Sequence, residues 1–319
     1  MPLTGRKTRP FLGLMVGISI LLWSSMMSLA QEGPLKENLR NHVTTLASEI
    51  GERNFIRYAA LVKARDYLIH TFAAYSYTPV SQSYILGDKP FQNIIATRKG
   101  HGSLAEEVIV IGAHYDTLSG TPGADDNASG VAGVLELARL FAREQPQRTV
   151  QFVAFTNEEP PFFKTEGMGS RHFAREAKRN GVMIAAMLSL EMIGYFSSER
   201  HSQKYPPGFG FFYPNTADFI AVVGNFRSRP LVHAIKREFL KHSTLNMESV
   251  ATFGFIPGVD WSDHWSFWQE GYPAVMITDT AFYRNPFYHD SMDTLETLDF
   301  NRMAQVVQGL YHAIASLAQ

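Results

Sequence analysis

The stretch 107–133, EVIVIGAHYDTLSGTPGADDNASGVAG, places His114 and Asp116 where a short apolar run, Val108 to Ile111, gives out. Asp125, Asp126 and Asn127 follow in a loop rich in Gly, Ser, Thr and Pro. Imidazole nitrogen and carboxylate oxygen together suit zinc; the plain alternative is a solvated loop that happens to be acidic. A second apolar run, Thr149 to Phe155, ends in Thr156-Asn157-Glu158-Glu159. Adjacent carboxylates at a strand end repel each other unless a cation sits between them or one keeps a proton. Near the C-terminus, Tyr288-His289-Asp290 forms a third polar stretch before the final helical pattern. These residues are far apart in sequence, yet all fall at strand ends or in loops.

The elements that must position them follow from periodicity. Val108 to Ile111 reads as a buried strand. Val131, Val134, Leu135, Ala138 and Phe141 recur at helical spacing, so a helix begins near Ser129. Strand, polar loop and helix make a βα unit, and in open α/β sheets ligands bind beyond the carboxyl ends of the strands. Residues 35–75 read as helical. Tyr84-Ile85-Leu86 and Asn93-Ile94-Ile95-Ala96 read as strands around a turn at Gly87–Pro90, and 107–113 and 149–155 as two more. Ala185 to Leu190 and Ala274 to Ile277 complete the strands, Leu231 to Phe239 and Met303 to Leu317 the later helices. The pattern is an α/β domain, a mixed, mainly parallel central sheet with helices on both faces. Pro160 and Pro161 stiffen a loop after Glu159, and Ser170 is placed to cap the helix that follows. Phe162 and Phe163 in that loop, with Trp261 and Trp265 near Ser262-Asp263-His264, could wall an apolar pocket; the alternative is that they pack beneath the loops.

Residues 1–30 stand apart. Arg6, Lys7 and Arg9 precede an apolar run from Phe11 to Trp23, and Ser28-Leu29-Ala30 has the small residues of a cleavage site. This is the pattern of a secretory signal peptide, with an uncleaved anchor as the alternative. The protein is expected to be exported, periplasmic or secreted, with residues 31–319 forming one domain. It has no cysteine, so disulfides cannot stabilise it. A net charge of −1 gives no case for nucleic acid. Membrane contact is expected only if the N-terminal segment stays attached, and nothing in the sequence fixes an oligomeric state.

The chain resembles the M28 family of zinc aminopeptidases. The matching pieces are Gly112-Ala113-His114-Tyr115-Asp116, Gly123 to Gly130, Asn157-Glu158-Glu159, Leu190-Glu191-Met192-Ile193-Gly194, Ser262-Asp263-His264, and Tyr288-His289 with Asp293-Thr294. The resemblance implies two zinc ions per chain. One would take His114, Asp126 and Glu191, the other Asp126, Glu159 and His289, with Asp126 bridging. It also implies that Glu158 acts as general base on a metal-bridging water, that Tyr288 steadies the oxyanion, and that Asp116 orients the imidazole of His114. Asp125 is read as a loop-shaping residue, and Asp263 and His264 as structural support. The implied substrate is a peptide with a free N-terminus. The alternative on the same fold is a glutaminyl-cyclase-like acyltransferase that keeps one zinc, at Asp126, Glu159 and His289.

Overall fold

The computed structural model describes residues 33–319. The signal segment read at 1–30 lies outside the described residues. No helix among the described residues is long and apolar enough to cross a membrane.

Eight strands form one sheet: β1 (Val80–Leu86), β2 (Lys89–Arg98), β3 (Glu107–His114), β4 (Thr149–Phe155), β5 (Met183–Glu191), β6 (Phe219–Gly224), β7 (Asn246–Ala251) and β8 (Ala274–Thr278). Their spatial order is β1-β2-β4-β3-β5-β8-β6-β7. Parallel pairing joins β4, β3, β5 and β8 at the centre and β6 to β7 at one edge; β1, β2 and β4, and β8 with β6, pair antiparallel. The helices are α1 (33–43, continuing into a wider turn at Thr44–Ile50), α2 (Tyr58–Ala74), α3 (Gly130–Phe141), α4 (Gly169–Arg179), α5 (Arg229–His242), α6 (His264–Gln269) and α7 (Phe300–Leu317).

The central strands read as unbroken apolar runs because both faces are covered. In β3, Ile109, Ile111 and Ala113 join the core beneath α1, α2, α3, α5 and α7. Val108 and Val110 point the other way, toward Phe173 of α4 and Phe267 of α6. The same alternation splits β4, with Val150, Phe152 and Ala154 on one side and Val153 and Phe155 on the other. A third, smaller cluster, with Phe219, Ala221, Val223, Val259 and Met276, lies over the β8-β6 end.

Two strands were not anticipated. Phe219–Gly224 is a six-residue apolar run buried throughout, a length and pattern that fits a buried strand as well as a piece of helix. Asn246–Ala251 is an edge strand without clean alternation. Ser170 does not cap α4. Its hydroxyl meets Ser266 Oγ on α6 at 2.9 Å, and the helix starts without a side-chain cap. A serine facing another element has its hydroxyl already committed.

Candidate active site

The parallel strands β3, β4, β5 and β8 all end at one edge of the sheet. β3 finishes on His114, β5 on Glu191, and β4 runs directly into Asn157-Glu158-Glu159. The loop 115–129 brings in Asp126, and the loop before α7 brings in His289. His114 Nε2 lies 3.3 Å from Asp126 Oδ1 and 3.3 Å from Glu191 Oε2. His289 Nε2 lies 3.3 Å from Asp126 Oδ2 and 3.5 Å from Glu159 Oε2. Two groups able to hold a metal ion result, His114-Asp126-Glu191 and Asp126-Glu159-His289, each with its ligand atoms within 4.8 Å of one another. Asp126 belongs to both and gives one oxygen to each side.

The loop holding Asp126 is tied down on three sides. Toward β5, Asn127 Nδ2 donates to the Leu190 carbonyl and its Oδ1 accepts from Met192 N. Ser129 Oγ accepts from Ile193 N, and Asp125 Oδ1 accepts from Gly194 N. Asp125 therefore shapes the loop, its second oxygen taken by Asn285 Nδ2 at 2.7 Å. Toward the C-terminal loop, Asp293 accepts from the main-chain N–H of Asp125 and Asp126 at 2.8 and 3.0 Å. Gly130 is obligatory here, because a Cβ would overlap Asn127 Oδ1 and sit 2.5 Å from the Leu190 carbonyl. Asn157, Met192 and His289, beside or within the site, have φ between 51° and 58°, strained backbone of the kind found at functional sites.

The third tie is Arg53, which sequence reasoning missed. It is fully buried. Its guanidinium donates to the carbonyls of Leu46, Gly51, Tyr115, Pro122 and Gly123 at 2.7 to 3.2 Å. Burial pulls its pKa down to about 10 against the pull of Asp116, Asp293, Asp126 and Glu159, so it stays charged. Arg53→Met should leave these carbonyls without donors, each costing about 1–3 kcal/mol when buried. The expected loss in unfolding free energy is at least about 3 kcal/mol, read by urea denaturation; a loss under about 1 kcal/mol would remove Arg53 from this role.

Asp116 works differently from the sequence reading. Its carboxylate is 3.7 Å from His114 Nδ1, beyond hydrogen-bond distance. It accepts instead from the main-chain N–H of Glu158 and Glu159 at 3.0 and 3.1 Å. The imidazole Nδ1 faces the main-chain carbonyl of Asp116 at 3.2 Å. Asp116 thus sets the position of the two glutamates, and its backbone rather than its carboxylate orients the histidine.

Residues 93–314 match Peptidase family M28. The chain is 41% identical over 297 residues, 90% of each protein, to the uncharacterized protein YfbL of Escherichia coli. It is 30% identical over 227 residues to a probable leucine aminopeptidase of Trichophyton verrucosum, covering 67% of this chain and 54% of that protein. This chain belongs to peptidase family M28. It is a hydrolase acting on peptides, and it spans about half the length of that fungal relative, 54%. The fold is shared with a zinc aminopeptidase of Bacillus subtilis, TM-score 0.68 at 14% identity over 89% of this chain and 95% of the other. It is also shared with a glutaminyl cyclase of Bacteroides thetaiotaomicron, TM-score 0.66 at 18% identity over 88% and 97%.

In this M28 site the carboxylates are crowded and dry. Glu158 and Glu159 are 6% and 4% exposed. Burial pushes both well above the usual carboxylate range, helped by Glu191 at Glu158 and by Asp126 at Glu159. Glu191 is also raised, by burial first. Burial pushes Asp126 up too, but hydrogen bonds with His114 and His289 outweigh it and hold this carboxylate well below its ordinary value. Burial pulls His114 down, while Glu191, Asp116 and Asp126 together lift it well above a free imidazole. Without metal, the imidazole of His114 faces Asp126 and Glu191 at 3.3 Å, and these carboxylates favour its protonated form. Any metal must displace protons held on groups with raised pKa, so affinity should rise with pH and level off once those groups have ionised. Zinc titration by calorimetry in two buffers of different ionisation enthalpy should show proton release at pH 6. Affinity unchanged between pH 6 and 8 would contradict this reading.

Beside the metal-ligating groups lies a deep apolar cavity, lined by Glu191, Tyr288 and residues of β6, β7 and β8. Of the four aromatic residues expected as its walls, only Trp261 lines it. Phe162 packs under its loop against Phe55 and Phe91, with ring centroids 5.3 and 6.1 Å apart. Phe163 and Trp265 flank Lys164, which pairs with Asp260 at 2.7 Å. Tyr288 stacks on His289 at 3.8 Å. Burial, then Asp126 and Glu159, raise its pKa above the ordinary tyrosine value, so its hydroxyl remains a donor. Ser262, in the motif with Asp263 and His264, donates to Glu191 Oε2 at 2.7 Å and fixes that carboxylate. Asp263 is fully buried and raised to about 7, chiefly by burial. His264 is fully buried, and its Nε2 meets the Val259 carbonyl at 2.9 Å.

Proposed function

We propose that this M28 chain is an exported, two-zinc aminopeptidase. The observation that carries the proposal is the pair of ligand groups sharing Asp126 beside an apolar cavity. The donors fit the metal: each group offers one imidazole nitrogen and two carboxylate oxygens, ligand types that zinc accepts. His114, Asp126 and Glu191 would hold one ion, and Asp126, Glu159 and His289 the other. Zinc supplies Lewis-acid charge that activates water and polarises the scissile carbonyl.

The chain's own residues do the rest. Glu158 stands beside both groups with its pKa raised by burial, which brings a carboxylate nearer the range of an effective general base. It takes the proton of the attacking water and returns it to the leaving amine. Tyr288 donates its hydroxyl to the developing oxyanion. Glu158 and Glu191 hold the α-ammonium of the substrate, which is why a free N-terminus is required. The cavity takes the first side chain and accepts bulky apolar residues. Export rests on the charged, apolar and small-residue segments of residues 1–30.

A panel of aminoacyl anilides, run beside N-acetylated peptides and N-terminal Gln peptides, tests this reading. Release of free amino acid from unblocked substrates, with acetylated ones slower by about 100-fold or more, is the expected result; a site built for a polar group rejects analogues lacking it by large factors. Pyroglutamate formation without release of amino acid would overturn it in favour of the one-zinc cyclase. Equal cleavage of acetylated peptides would leave a hydrolase without the amine-binding role.

A further inference from the structure

The register of the sheet puts a second carboxylate at the far end of the cavity. Glu191 on β5 pairs with Thr278 on β8, Thr278 with Ala221 on β6, and Ala221 with Glu248 on β7. Residues paired across a ladder point to the same face. The four therefore stand in one row on one side of the sheet, and all four line the cavity. Three strand spacings separate the ends, about 14 Å from Glu191 to Glu248. Between them the floor is Thr278 and Ala221, two short side chains, with Met276 and Val223 alongside. Tyr205, Phe209 and Tyr213 form the wall nearest Glu248; Tyr205 and Tyr213 stack at 5.7 Å, and Tyr213 hydrogen-bonds to the Ser249 carbonyl at 2.9 Å.

The trough thus runs from the metal-ligating edge, over an apolar floor, to a carboxylate flanked by aromatic rings. A leucine side chain fills only its first half. A long aliphatic stem with a cationic tip fits the whole length. Its methylenes cover the floor, and its charge meets both a carboxylate and aromatic faces, an arrangement that suits guanidinium above all. Glu248 is engaged by Lys236 at 3.4 Å, with the two side chains 27% and 29% exposed. At 3.4 Å between two part-buried side chains this contact is long, and an incoming cation with better geometry can replace Lys236. Lys204 also lines the cavity, but it is exposed toward solvent.

Building on the aminopeptidase reading, we propose that this trough is a subsite for the side chain of an N-terminal arginine or lysine, with Glu248 as the specificity-determining residue. Arginine, lysine and leucine anilides should be compared on the zinc-replete wild type, Glu248→Gln and Glu248→Leu. In the wild type, arginine and leucine are expected within about tenfold of each other in kcat/KM. Glu248→Gln should lower arginine and lysine about tenfold and leave leucine within twofold; loss of one charge-assisted contact accounts for that size. Glu248→Leu should lower the basic substrates further and favour leucine. Equal responses of arginine and leucine to Glu248→Gln, or wild-type rejection of arginine by more than 100-fold, would overturn the proposal while leaving the aminopeptidase reading intact. If no anilide is cleaved, the aminopeptidase reading fails, and calorimetry with free L-arginine and L-leucine still decides the subsite. Arginine binding that weakens about tenfold in Glu248→Gln supports it, and equal binding of the two amino acids in both proteins overturns it.

Discussion

Glu158→Gln is expected to keep both zinc ions and the fold and to lose about 10²–10⁴-fold in kcat, the contribution of a placed general base. Glutamine has nearly the same shape, and Glu158 belongs to neither ligand group. Its main-chain N–H, bonded to Asp116 Oδ1 at 3.0 Å, is untouched by the substitution. The stability of the metal-free protein should not fall. Burial raises the pKa of Glu158 in the folded chain, with Glu191, Asp263 and Asp116 adding to the effect. A carboxyl raised on folding stabilises the folded form only while protonated, and it costs stability as pH rises through the unfolded value and beyond. A neutral amide removes that cost at neutral pH. Lost turnover with unchanged or raised melting temperature therefore separates a catalytic role from a structural one. Near wild-type turnover would remove Glu158 from the base role.

Asp126→Ala should do more, because one carboxylate serves both groups. Its two oxygens lie 3.3 Å from His114 Nε2 and 3.3 Å from His289 Nε2. Without them each group drops to two side chains, and zinc is expected at neither. Activity should fall to that of chelator-treated wild type, a loss of several kcal/mol of transition-state stabilisation, or about 10³-fold or more. Glu191→Ala makes the contrast, since it should empty only the site shared with His114. Metal analysis of the two variants side by side checks this. Retention of one full zinc equivalent in Asp126→Ala would show that the two groups do not depend on a shared bridge.

Much of this site was legible from residue order because of how the sheet is buried. Strands β3, β4 and β5 are covered on both faces, so they appear as apolar runs whose abrupt ends mark the edge of the sheet. His114, Glu158, Glu159 and Glu191 stand at those ends. His289 was different: it lies in a loop with no periodicity around it, so residue type alone made it a candidate and the family resemblance assigned it to a metal. Arg53 and Asp293 carried no local signal of their roles. Arg53 matters because carbonyls from Leu46 to Gly123 converge on it, and Asp293 because two N–H groups 167 and 168 residues away reach it. Such convergence exists only after folding. The same holds for Asp116, whose spacing from His114 suggested the right neighbour but the wrong atom. Among the tryptophans, sequence gave no phase. Trp261 precedes α6 and reaches the cavity, whereas Trp268 on that helix turns inward to bond the Ala274 carbonyl at 2.8 Å. Glu248 hid in an edge strand with no clear pattern, and only the ladder register aligns it with Glu191.

Anomalous diffraction at the zinc edge, from crystals of the zinc-replete protein, tests most directly whether two zinc ions sit on either side of Asp126. Two peaks about 3.5–4 Å apart, one against His114 and Glu191 and the other against Glu159 and His289, are the expected result. A single peak at full occupancy, or peaks away from Asp126, would contradict that placement.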